Sequence, residues 1–163
     1  MTTAELLAEL DQEAEVTRSV LERVPEEKLS WKPHQKSMSL GQLAHHVANL
    51  PLGIAELVSE LVREVPAVPA PEAQSVSELL STFENSIAFA RAKFSEWGDE
   101  GLAAIFRLTS GGATMIERPR SGVIRSLMMN HVYHHRGQLT VYLRLLDVSL
   151  PWVYGPTADE IRR

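Results

Sequence analysis

Apolar residues recur at intervals of three and four positions in four long segments of this chain. The first segment runs from the N-terminus to Pro25, the second covers residues 39–63 and the third covers residues 75–97. The fourth covers residues 121–146, with Ser121 as its expected N-cap. Such spacing gives a helix one apolar face that it can bury against other helices. The pattern therefore predicts four amphipathic helices.

Residues that start and stop helices support three of these boundaries. Ser39 with Gln42, and Ser75 with Glu78, have the spacing of capping boxes, in which the two residues satisfy each other's backbone N–H groups. Gly98 is typical of a residue that follows the last turn of a helix. The second helix is expected to begin at Ser39, and the third is expected to span residues 75–97.

The stretch between the third and fourth helices has strand patterning. Two short apolar runs, residues 105–108 and 113–116, flank a glycine-containing turn at residues 109–112, which is typical of a β-hairpin. Two strands alone are marginally stable, so the hairpin must pack against the helices. The predicted fold is all-α, a four-helix bundle with a short β-hairpin before the last helix.

Histidines are concentrated in the fourth helix. Three of the six in the chain are His131, His134 and His135. His131 and His135 are four positions apart on the predicted apolar face, which is the spacing by which one helix offers two imidazoles to one metal ion. Core histidines that are hydrogen-bonded to other side chains or to water would show the same pattern, so spacing alone leaves both interpretations open.

A third imidazole can come from the second helix. His46 lies at the flank of the apolar stripe that contains Leu43 and Leu50, whereas His45 points towards the polar side. His46 can therefore reach the interior more readily than His45. Pro51 should kink or tighten this helix one turn later, before it continues to about residue 63.

Composition narrows the functional classes. The chain has 163 residues, of which 44% are hydrophobic, and this suits one domain with a substantial core. A net charge of −5 argues against binding to a nucleic-acid backbone. No apolar run approaches the ~20 residues that span a bilayer, and the N-terminus has no secretory-leader pattern. The absence of cysteine excludes disulfides, thiolate ligands and a cysteine nucleophile. A cytoplasmic protein that binds neither nucleic acid nor membrane is expected.

Four stretches in this order carry a family resemblance: residues 32–34, 37–47, 131–139 and 153–160. Together they resemble the DinB-like (DinB/YfiT) superfamily of small metal-binding four-helix proteins. The most specific part is the His-x-x-x-His of the fourth helix followed by Arg-Gly-Gln. The resemblance implies a single DinB-like four-helix-bundle domain over residues 1–163.

The resemblance also implies a divalent metal ion bound by one histidine of the second helix and two of the fourth. In this sequence these are His46, His131 and His135, the same three that the helical positions favour. Three neutral imidazoles leave an open coordination position, and zinc or nickel suits such a site.

The superfamily includes thiol-dependent transferases and isomerases, so the resemblance favours a metal-dependent enzyme. A thiol-dependent S-transferase or a hydrolase acting on a small molecule is expected, with a low-molecular-weight thiol as a candidate substrate. The alternative is a non-catalytic, stress-related metal- or ligand-binding bundle. A homodimer is expected because the apolar residues near the end of the second helix, at positions 57, 58, 61 and 62, exceed what one face can bury.

Several neighbouring polar residues have two interpretations each. His45 and His134 are the alternative ligands on their helices, and His134 is expected to bind a backbone group or line the mouth of the site. Gln138 can orient an imidazole or only fill polar space. Tyr142 can donate a proton or be a core tyrosine with a satisfied hydroxyl.

Three charged residues complete the set of candidates. Arg136 is placed on the outward face of the fourth helix and is expected to be a surface or interface residue. Asp159 and Glu160 reach the site only if the tail folds over its mouth. Otherwise they are expected to be solvated.

Overall fold

The helical segments and a small sheet follow one another along the chain in a computed structural model that describes residues 1–67 and 71–159. The elements, in order, are α1 (Thr3–Leu21), a 3-10 turn (Glu26–Lys28), α2 (Leu40–Leu57), β1 (Val62–Glu64), α3 (Val76–Ala103), β2 (Ile105–Ser110), β3 (Ala113–Pro119), α4 (Arg120–Val123), a π-helical segment (Ile124–Met129) and α5 (Asn130–Leu145). Because α4, the π-helical segment and α5 follow without a break, they correspond to the predicted fourth helix. The predicted helical fold is confirmed.

The start of α2 is fixed by the predicted capping box. The Ser39 hydroxyl accepts a hydrogen bond from the Gln42 backbone N–H at 3.1 Å, and the Gln42 side chain accepts one from the Ser39 N–H at 2.9 Å. At α3 the Ser75 hydroxyl accepts from the Glu78 N–H at 3.1 Å, but the Glu78 carboxylate accepts from Gln74 instead. At α3, therefore, only the serine half of the predicted capping box forms.

Gly98 interrupts α3 rather than ending it. Its φ of 57° lies in the left-handed region that glycine adopts without steric cost, and helical backbone resumes as far as Ala103. The prediction that the third helix stops at residue 97 is thus correct for the first straight part and wrong for the last turn.

The prediction that the second helix continues to about residue 63 is wrong. Helix α2 passes through Pro51 and ends at Leu57, and Val62 to Glu64 form β1, which pairs in parallel with β2. The Arg120 guanidinium donates to the Val58 carbonyl at 2.8 Å and so occupies an acceptor at the end of α2. The sheet consequently has three strands in the order β1-β2-β3, with β2 and β3 antiparallel.

The buried side chains form two clusters along the bundle. One joins the later part of α1 to the first half of α2, the start of α3 and the end of α5. The other joins the start of α1 to the sheet, through Phe106 and Leu108, and to the π-helical segment, through Ile124, Met128 and Met129. Within residues 1–67 and 71–159, no helix is both long and apolar enough to cross a membrane.

The π-helical segment changes which face of the last helix is buried. The Asn130 N–H donates to the Arg125 carbonyl, five residues earlier, so this turn holds more residues than an α-helical turn. Residues after it are displaced by about one position around the axis relative to a regular wheel. The fully or nearly fully buried residues are Arg120, Val123, Ile124, Met128 and Met129 before Asn130, and Val132, Arg136, Leu139 and Leu143 after it.

Four expectations for the fourth helix are wrong, three of them because of this displacement. Arg136, expected at the surface, is only 1% exposed, while Leu145, which a regular wheel places on the same face as His131 and His135, is 59% exposed. Gln138, which a regular wheel places on that face too, is also exposed. Finally, the helix begins at Arg120 after Pro119, so Ser121 lies inside the first turn and is not its N-cap.

Candidate metal centre

Three imidazoles from two helices meet in the groove between α2 and α5. His46 lies in the second turn of α2, and His131 and His135 lie in the first two turns of α5. The Nε2 atom of His131 is 3.5 Å from Nε2 of His46 and 2.8 Å from Nε2 of His135. The rings of His46 and His135 are 4.6 Å apart between centroids. One nitrogen from each of the three lies within 4.8 Å of the other two.

Hydrogen bonds on the far sides of two rings orient them. The Nδ1 of His135 is 2.7 Å from the Gln138 side-chain oxygen, which can only accept, so Nδ1 carries the proton. The ring of His131 hydrogen-bonds the backbone of Leu127, one turn earlier. Because Nε2 of His131 faces the other imidazoles, this bond falls to its Nδ1. Both Nε2 atoms on α5 therefore direct lone pairs into the groove.

The surroundings keep the imidazoles neutral. Burial, together with smaller contributions from the charges of His135, His131 and His45, lowers the pKa of His46 to about 4. Burial also lowers the pKa of His131, against the opposing effect of its bond to Leu127. The pKa of His135 is lowered by burial, although the Gln138 contact raises it. Neutral imidazole is the form that binds metal ions.

The arrangement fits a divalent ion. A tetrahedral ion with metal–nitrogen distances of about 2.0–2.1 Å separates its ligand nitrogens by about 3.3 Å. The observed separations of 2.8 and 3.5 Å lie on either side of that value. Lone pairs facing each other at such distances repel unless a proton or a metal ion lies between them. A shared cation is therefore the simplest way to satisfy the group.

The alternative histidines stay outside the group. His134 is exposed, with its ring 4.9 Å from the ring of His135, and His45 is a half-exposed neighbour of His46. Gln138 contacts His135 and so has the first of its two expected roles, that of orienting an imidazole. The Tyr142 hydroxyl donates to the Met38 carbonyl at 3.4 Å, and its ring packs edge-on against Trp31. Tyr142 thus fixes the loop before α2.

The charged candidates lie elsewhere. Asp159 forms an ion pair with Arg144 and accepts from the Leu150 N–H at 3.0 Å, so its carboxylate faces the end of α5 and not the histidines. Glu160 lies outside the described residues. Arg136 points away from the groove, into a buried cluster with Glu13 of α1.

Sequence reasoning missed that cluster, although α1 carried a signal for it. Its buried residues include Leu6, Leu10 and Val20, and the same stripe passes through Glu13 and Thr17. A carboxylate and a hydroxyl in the apolar stripe require buried polar partners. A basic residue on another helix was therefore to be expected opposite them.

Comparison with known proteins identifies the family. The family described as the DinB family matches residues 1–162. The chain belongs to the DinB family. Among its relatives is the uncharacterized protein YrdA of Bacillus subtilis (strain 168), which is 28% identical over 149 residues that cover 91% of this chain and 85% of YrdA. The uncharacterized protein YjoA of the same strain is 28% identical over 138 residues, covering 79% of this chain and 80% of YjoA.

Solved structures agree with the DinB fold. A DinB-like protein from Bacillus cereus ATCC 10987 superimposes with a TM-score of 0.72 at 27% identity, covering 94% of this chain and 98% of that chain. The structure of YjoA superimposes with a TM-score of 0.71 at 20% identity, covering 91% and 96% of the two chains, and this shows similarity of fold alone.

Proposed function

We propose that this DinB-family protein binds one divalent metal ion, zinc or nickel, through His46, His131 and His135 and uses it in chemistry on a small molecule. The observation that carries the proposal is the convergence of three imidazole Nε2 atoms, two of them aimed by hydrogen bonds on the opposite side of the ring. Such outer partners are the usual companions of metal-binding histidines.

The ligand set favours a catalytic site over a structural one. Among the described residues, the group contains no fourth histidine, cysteine or carboxylate. Three neutral ligands leave an open position, as in catalytic zinc sites. The three imidazoles are only partly buried, and the exposed Gln138 and His134 lie beside them, so a small molecule can approach.

An ion in this position supplies Lewis acidity, lowering the pKa of a bound thiol or water so that it is deprotonated near neutral pH. The chain contains no cysteine, so a thiolate must come from a low-molecular-weight cosubstrate. A thiol-dependent S-transferase is therefore the leading activity, and a hydrolase is the variant that uses water. The role of the protein is to hold the three imidazoles neutral and to orient them through Gln138 and Leu127.

One observation favours the second candidate, a non-catalytic metal-binding bundle. A groove of about 690 Å³ lies between α1 and α3 and is lined by residues such as Phe83, Ile87 and Arg91, not by the histidines. A second, small space lies inside the bundle. An enzyme of this kind would bind its substrate in the shallow groove above the imidazoles.

The test combines binding and turnover. Protein loaded with cobalt(II) or nickel(II) is titrated with a small thiol, and then supplied with thiol and an alkylating electrophile. We expect a sulfur-to-metal charge-transfer band and thiol consumption, both lost in His131→Ala and retained in His34→Ala, whose histidine lies in an exposed loop. A loaded protein that shows neither band nor turnover would remove the transferase and leave the hydrolase and the binding bundle.

A further inference from the structure

Helix α5 carries a buried arginine next to a metal-binding histidine. Arg136 follows His135 directly, so its side chain leaves the helix about 100° away from that of His135. His131 and His135 face α2, whereas Arg136 faces α1 and is 1% exposed. The helix is thus constrained by polar contacts on two sides.

The contacts of Arg136 fix the plane of its guanidinium. One terminal nitrogen lies 2.7 Å from the Glu13 carboxylate and also donates to the Tyr154 hydroxyl. The other donates to the Thr17 hydroxyl at 3.0 Å and to the Glu13 carbonyl at 3.4 Å. Tyr154 in turn donates to Glu13 at 2.9 Å, and the rings of Tyr133 and Tyr154 lie 5.4 and 5.0 Å from the guanidinium. A planar fork with partners on both branches has one orientation.

Stability alone does not explain such a cluster. Replacing a buried ion pair by apolar residues of similar volume is often neutral or stabilising, because the pair must overcome the cost of removing two charges from water. The best-attested use of buried polar groups is to select one arrangement among several. The relevant question is which arrangements compete in this helix.

The π-helical segment shows which two arrangements of α5 compete. With i→i+4 bonds throughout, the apolar stripe that contains Ile124 and Met128 would continue into His131 and His135, and Arg136 would face solvent. With the i→i+5 turn, the stripe continues into Val132 and Arg136. The two arrangements differ by a rotation of α5 of roughly 100°. In the first, the two histidines would turn into the core and away from the groove.

We propose that Arg136, fixed by Glu13, Thr17 and Tyr154, is the positioning residue that sets the rotation of α5 and thereby directs His131 and His135 at His46. The inference depends on the proposed metal site. Arg136 touches neither the ion position nor a substrate. It acts through the helix that carries two of the three ligands.

The test measures cobalt(II) affinity and the shape of the cobalt absorption spectrum, which reports coordination geometry. The double variant Glu13→Leu with Arg136→Met removes both charges at nearly constant volume, so it should fold. Arg136→Lys keeps the charge beside Glu13 but loses the planar fork. The matched control is Arg120→Met, which removes another buried arginine from the same helical column, one that donates to the carbonyls of Val58, Ser59 and Gly101.

We expect both Arg136 variants to bind cobalt about 10-fold more weakly, with a changed spectrum, while Arg120→Met keeps the wild-type spectrum and affinity. Wild-type affinity and spectrum in Arg136→Lys and in the double variant would overturn the inference and leave the metal site intact. Equal losses in the Arg136 and Arg120 variants would also overturn it, because they would show a general structural effect. Failure of the wild type to bind cobalt would remove the proposed function and the inference together.

Discussion

Removal of the Gln138 side-chain oxygen should weaken metal binding with little effect on folding. Its oxygen is 2.7 Å from Nδ1 of His135 and fixes the ring so that Nε2 faces His131. A histidine without this partner rotates more freely and can place its proton on Nε2, which must then be lost before an ion binds. Gln138→Leu is therefore expected to lower metal affinity by about 10- to 100-fold, the usual effect of losing an outer hydrogen bond.

The effect on stability should be small by comparison. Gln138 is exposed, and one hydrogen bond contributes only about 0.5–1.5 kcal/mol in net terms, less where water competes. Gln138→Glu gives the opposite prediction for binding, because a carboxylate is a stronger acceptor for the Nδ1 proton and raises the basicity of the ring. Metal affinity in this variant should equal or exceed that of the wild type.

Competition titrations with a zinc chelator measure both affinities, and urea unfolding of the metal-free proteins measures stability. Val141→Ala is the control, since this side chain is on the same helix and is 57% exposed. It should change neither property. Wild-type affinity in Gln138→Leu, or weaker binding in Gln138→Glu than in Gln138→Leu, would refute the orienting role.

Four further results are expected. Ser39→Ala removes the cap of α2 and the hydroxyl that donates to the Glu72 carboxylate, and it should cost about 1–2 kcal/mol in urea unfolding; Ser39→Asp should not restore the loss, because its carboxylate would face that of Glu72. Gly98→Ala should cost about 1–3 kcal/mol because φ is 57° and ψ is −171°, a conformation almost restricted to glycine, despite open space around the added carbon. Hydrogen bonds from Arg125 lower the pKa of Glu9, so its stabilisation is present above pH 4.5 and is lost as the pH falls; Glu9→Gln should flatten that part of a pH-stability curve. Zinc at 100 times its dissociation constant should stabilise the wild type by about 2.7 kcal/mol, and a chelator should reverse this.

Local signals in the sequence were sufficient to predict the helices and the group of histidines. The capping box at Ser39 defined the start of α2, and the position of His46 on that helix distinguished it from His45. The four-residue spacing of His131 and His135 places both on one side of any α-helix. These inferences depend on the geometry of single helices, so they do not require knowledge of the packing.

Two features of the fold could not be predicted from the geometry of single helices. The strand β1 forms because β2 offers it an unpaired edge, and that edge is created by residues more than 40 positions later in the chain. The π-helical segment depends on the balance between burying Arg136 against α1 and burying the histidines, which a wheel with constant spacing cannot represent. Glu13 and Thr17 in the apolar stripe of α1 were the visible indication that a buried arginine was needed.

Elemental analysis of natively purified protein tests the central claim most directly, since it measures whether His46, His131 and His135 bind an ion. The account predicts about one transition-metal ion per chain in the wild type, and loss of that ion in His46→Ala, His131→Ala and His135→Ala. His34→Ala should retain it. A wild type without metal after exposure to zinc and nickel, or undiminished metal in any of the three ligand variants, would contradict the account.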